Sequence, residues 1–122
     1  APGAYAVVAS AGVMVPAGVA RFSIGTEALQ NRAPDGVALI DTAAGTLLDA
    51  LSYEGAIRAA QITGIPGTVN LVEGTVLPAS VADSNAAPGS LSRVPNGVDT
   101  DDAANDWRFV SMPTPGAANA TP

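Results

Sequence analysis

Thirteen glycines and ten prolines are spread along the 122 residues, and this punctuation constrains the fold more than any other feature. Together they make about a fifth of the chain, against a usual share near ~12%. Proline removes a backbone donor and clashes with the preceding helical turn, and glycine costs conformational entropy in any regular element. Short strands joined by tight turns tolerate both residues, whereas a helix bundle does not. The expected class is therefore all-β.

A chain of this length makes one domain at most, spanning residues 1–122, with a single modest core. Apolar residues reach 48% but aromatics only 4%, so the core must be built from Val, Leu, Ile and Ala. A net charge of -6 with a pI near 4.1 argues against nucleic-acid or anionic-membrane partners, which require a basic face. No apolar run approaches the ~18 residues of a membrane span, so no membrane insertion is expected. All five cations are Arg. An acidic, Lys-free chain rich in Ala, Gly, Pro and Thr has the composition of an exported bacterial protein, secreted or displayed at the cell surface.

Along the chain, Ala4 to Ala9 reads as a strand, apolar on both faces and so expected inside a sheet. Ser10 to Gly18 reads as a connection, and Arg21 to Ile24 as a second strand. Thr26 to Gln30 has the makings of one helical turn capped by Thr26. Asn31 to Gly36 is a turn by composition. The clearest hairpin pairs Gly36–Asp41 with Thr46–Tyr53, where Leu47, Asp49, Leu51 and Tyr53 alternate against Leu48, Ala50 and Ser52. Asp49 is expected as a structural charge, at a strand edge or hydrogen-bonded to a neighbouring loop. From Glu54 to Pro88 the pattern weakens into irregular connections, with Val69–Val72 and Thr75–Leu77 strand-like and Ser80–Ala87 a polar loop. Gly89 to Asn119 then runs strand, turn, acidic loop, strand and stop, with Trp107 and Phe109 on one core-facing side. About seven short strands result, the number of a small antiparallel sandwich.

The runs GVALID, TLLDALSYEG, GSLSRVPNGVDTDDAANDW and PTPGAAN together resemble the bacterial lamin-tail domain, from about residue 4 to 119. The most specific elements are Ser92-Arg93 followed by Pro95, Asn96, Gly97 and Asp99-Thr100-Asp101, then Asn105-Asp106-Trp107, then the close at Pro113 to Asn119. The resemblance implies an immunoglobulin-like antiparallel β-sandwich, used as a non-catalytic module of secreted or surface proteins, often beside nucleases, phosphatases and other hydrolases. The family's opening strands, of Ile-Asn-Glu and Glu-Phe-Val-Glu-Leu type, have no counterpart here. The domain is therefore expected to be incomplete at its N-terminus, its opening strands either cut off or provided by another polypeptide; their absence would leave an open sheet edge that invites a partner strand from another chain or self-assembly.

The chain has no His, Cys or Lys, which removes the usual general bases, Ser-His and Cys-His nucleophile systems and imine chemistry. A carboxylate pair among Asp99, Asp101, Asp102 and Asp106 would need aromatic sugar platforms that one Trp and two Tyr supply thinly. Oxygen-only ligands from Asp99, Asp101, Asp102, Asn105 and Asp106 would suit Ca²⁺. The spacing lacks the central Gly and terminal Glu of an EF-hand, and a solvated acidic turn explains the same residues. Arg93 is expected to pair with Asp99 across the turn. The functional expectation is a non-catalytic extracellular module for adhesion, spacing or assembly; the alternative is an accessory domain of a secreted hydrolase such as a nuclease or phosphatase.

Overall fold

The computed structural model describes residues 3–29, 32–84 and 86–122. Gln30, Asn31 and Asn85, which fall in the expected turns and polar loop, lie outside the described residues, as do Ala1 and Pro2. Six strands and one helical turn follow in order: β1 (Ala6–Ala9), β2 (Ala20–Ser23), β3 (Asp35–Asp41), β4 (Thr46–Tyr53), β5 (Ser90–Arg93), α1 (Ala103–Asp106) and β6 (Trp107–Val110). They form three two-stranded ladders, β1 with β2, β3 with β4 and β5 with β6. The fold is all-β.

The β3–β4 and β5–β6 ladders are antiparallel, as their turn chemistry predicts. In the first, the register passes from Leu39↔Asp49 to Ile40↔Leu47 and leaves Leu48 as the extra residue of a bulge. Directly opposed residues share a face, so Val37 and Leu39 lie with Asp49 and Leu51. The bulge transfers Leu47 to the opposite face, correcting the unbroken alternation expected from Leu47 to Tyr53.

The β1–β2 ladder is parallel, with Ala6↔Ala20 through Ala9↔Ser23 in register; it departs from an all-antiparallel sandwich. Ten residues connect the two strands, and Arg21 secures them by donating from Nη1 to the Val13 carbonyl at 3.1 Å and from Nη2 to the Ser10 carbonyl at 2.6 Å. β1 is also not an interior strand. Among the described residues it pairs with β2 alone, and Val8 and its register partner Phe22 are 61% and 60% exposed.

Two further expectations are corrected. Thr26–Leu29 forms a turn rather than a helical turn, because Glu27 sits at φ 60, outside the helical region. Val69–Val72 and Thr75–Leu77 are not strands; a single bridge joins Ala60 to Val69. The backbone bonds of the first run are scattered: Val69 exchanges bonds with Ala60, the Leu71 amide donates to the Ile57 carbonyl at 2.9 Å, and Asn70 donates from Nδ2 to the Val72 carbonyl and accepts from the Val72 amide, both at 3.1 Å. The apolar residues still pack: Leu71, Val72 and Leu77 are buried. Leu77 joins Leu51 and Ala103 in the core cluster, flanked by Tyr53, Val81, Leu91 and Trp107. The core is aliphatic and light.

Candidate functional site

The acidic loop between β5 and β6 is built as a set of backbone clasps. Asp102, extended at φ -141, caps α1 and accepts from the Asn105 amide at 3.2 Å. Its other oxygen accepts from the Thr75 hydroxyl at 2.8 Å and the Thr75 amide at 3.2 Å. Donation by Thr75 holds its carboxyl below the ordinary carboxylate range. Asp106 is buried and takes the Thr100 amide at 2.8 Å and hydroxyl at 2.7 Å. These bonds, the amide first, depress its pKa against the opposing effect of desolvation.

Asp99 accepts from the Asp101 amide at 3.1 Å and pairs with Arg93 at 3.1 Å. Asp101 is exposed, at φ 55, and the exposed Asn105 gives its amide to Asp102. Asp99, Asp102 and Asp106 thus each face separate donors. Among the described residues, no group of three or more acidic side chains is arranged to hold a metal ion.

Arg93 is the hub that the sequence only partly predicts. It reaches Asp99, as expected, and also takes Asp49 at 3.1 Å and Glu73 at 3.3 Å. Its guanidinium lies 5.1 Å from the Trp107 ring centroid, within cation–π range. Burial works to lower the Arg93 pKa, but the hydrogen bond and charge of Asp49, then Asp99 and Glu73, raise it on balance. Burial raises the Glu73 carboxyl; the Ala50 amide opposes this, the Asp49 charge adds to it and Arg93 opposes it. Asp49 is therefore the structural charge expected, paired across hairpins. The signal that could have marked Glu73 is its place in a weakly patterned connection beside buried Val72, which is faint.

The closing segment docks on the same turn. Asn119 donates from Nδ2 to the Arg93 carbonyl at 2.9 Å, and its amide donates to Asn96 Oδ1 at 2.8 Å. A side chain at Gly116, where φ is 75, would meet Val19 at 3.0 Å and Pro16 at 3.2 Å, so the tail also packs on the β1–β2 connection.

Two grooves remain open. One, of about 420 Å³, is lined by Val37, Leu39, Leu51, Leu91 and Trp107 with Asp49 and Asp83 at its margin. The other, of about 720 Å³, runs between Tyr5–Val8 and Ser90–Arg93 beside the closing segment. The two share Asp49, Ser90, Leu91 and Trp107. Consecutive residues of both strands line the second groove, as a strand edge does; a sheet face would contribute every second residue. β1 and β5 each have one ladder partner among the described residues, and both line this gap, with the Arg93 carbonyl of β5 taken by Asn119. Val37 and Leu39, at 51% and 61% exposed, show how open the adjoining apolar groove is.

Compared with protein-family models, curated proteins and solved structures, the chain matches none. What the structure defines is an all-β protein with a carboxylate-clamped arginine at its centre and an open, strand-edged groove. Among the described residues no helix is long and apolar enough to cross a membrane.

Proposed function

We propose that this chain is a non-catalytic β-sandwich module of the lamin-tail type, acting outside the bacterial cell in adhesion, spacing or assembly and completed by a strand from another chain. The observation that carries the reading is the gap between β1 and β5, two strands with one ladder partner each among the described residues, where the outer β5 edge has only its Arg93 carbonyl taken, by Asn119, and apolar side chains lie open. Unpaired N–H and C=O groups beside uncovered Val and Leu are satisfied together by an added strand. The Asp-rich loop supports the same reading from the other side. Asp102 and Asp106 hold Thr75 and Thr100, and Asp99 holds Arg93, so these carboxylates serve as clasps.

The test is turnover. The purified chain is expected to leave phosphodiester, phosphomonoester and glycoside substrates intact. Hydrolysis that disappears in Asp99→Asn or Asp102→Asn would overturn the reading.

A further inference from the structure

The two grooves differ in what they offer. The gap between β1 and β5 offers backbone edges, while the cavity lined by Val37, Leu39, Leu51, Leu91 and Trp107 offers apolar surface. Because they meet at Leu91 and Trp107, an extended segment entering the gap would turn every second side chain into the apolar cavity. Four residues of such a segment span about 13 Å, matching the four-residue strands on either side.

The cavity is not electrically neutral. Asp83 lines it beside Tyr53, and the Tyr53 phenol is raised first by burial and then by the charges of Asp35, Asp83 and Glu54. The ion pairs among the described residues all run to Arg93, and none involves Asp83. A net charge of -6 also opposes docking of a second copy. The electrostatic complement is a cation on a foreign chain.

Resting on the reading of this chain as a strand-accepting module, we propose that its occupant is an extended segment of a separate polypeptide, with apolar residues at every second position and a lysine or arginine that reaches Asp83. Backbone pairing with β1 and β5 supplies affinity, the alternate apolar residues fill the cavity, and the cation sets direction and register. This specifies the partner by its chemistry: alternating, apolar and basic at one end.

The experiment uses a synthetic peptide of about eight residues, valine alternating with threonine and ending in lysine, beside the same peptide ending in glutamate. Trp107, the only tryptophan, reports through its fluorescence, and amide shifts are followed along Tyr5–Val8 and Ser90–Arg93. The lysine peptide is expected to bind about tenfold or more tightly at low salt, with the difference shrinking as salt is added. Both edges should shift, and Asp83→Lys should reverse the preference. Leu39→Lys, at a position already exposed, should weaken both peptides. Equal affinity, a preference for glutamate, or shifts that miss either edge would overturn the proposal. So would a concentration-dependent dimer that excludes the peptide. Equal affinity or a glutamate preference with both edges shifted overturns the cation alone and leaves strand acceptance standing, whereas shifts that miss either edge overturn strand acceptance as well; neither bears on turnover.

Discussion

Arg93 on β5 grips Asp49 on β4 with both ends of its guanidinium, Nη1 to Oδ2 at 3.2 Å and Nη2 to Oδ1 at 3.1 Å. The two residues are 44 apart in sequence, and the pair joins the β3–β4 hairpin to the β5–β6 hairpin. With an Arg93 side chain only 13% exposed, the pair lies between a surface bridge and a buried one. Arg93→Ala leaves Asp49 and Glu73 without their cation and should cost about 2–3 kcal/mol in urea unfolding. Arg93→Lys keeps the charge without the fork and should recover only part of that loss.

The carboxylates set opposite pH trends. Glu73 has a raised folded pKa, so the folded state binds more protons than the unfolded chain as pH falls through that raised value, and stability increases. Asp102 and Asp106 have depressed folded pKa values; their stabilisation is present above the ordinary Asp value and is lost as pH falls through the depressed ones. Melting temperature should therefore rise from neutral pH into mild acid and fall below about pH 4. Glu73→Gln should flatten the rise, and Asp106→Asn should reduce the fall. A rise of undiminished size in Glu73→Gln would assign it to general charge repulsion instead.

Gly89 has no room for a side chain. A Cβ there would run into the Phe109 ring and approach the Val110 carbonyl at 2.5 Å. The ring can turn, but the carbonyl belongs to a strand end whose Val110 is 1% exposed. Gly89→Ala should destabilise the fold by about 1–3 kcal/mol, read from the denaturation midpoint. An unchanged midpoint would mean that β5 enters the ladder farther from β6 than described.

Calcium provides a separate check on the Asp-rich loop. Because Asp99, Asp102 and Asp106 already accept from amides, hydroxyls and Arg93, millimolar Ca²⁺ should leave the melting temperature unchanged. An upward shift with added Ca²⁺ would show that the loop rearranges to bind it.

Local chemistry made the two hairpins legible. Alternation and turn residues place Gly36–Asp41 against Thr46–Tyr53, and the Pro95-Asn96-Gly97 turn with the Trp107–Val110 run locates β5 and β6. Three features had no local signal. The parallel pairing of β1 and β2 depends on Arg21 reaching back to Ser10 and Val13. The strand-like run at Val69–Val72 buries Leu71 and Val72 but divides its backbone bonds among Ala60, Ile57 and the Asn70 side chain, so apolar content alone misidentifies it. α1 is one turn built on the Asp102 cap, in a stretch whose Asn and Asp favour turns as readily as helix. The acidic loop shows the same limit at the site: spacing gathered five oxygen-bearing residues, but not that Thr100, Asp101 and Arg93 nearby and Thr75, 27 residues away, already engage their carboxylates.

Whether β5 keeps its second edge without a strand partner is read by amide hydrogen exchange along Ser90–Arg93 in the free protein. In an antiparallel ladder successive amides point alternately to the partner and away. Two slow and two fast amides in strict alternation are expected, with the fast pair becoming protected when a strand-forming peptide is added. Uniform protection of all four amides in the free protein would contradict an open second edge.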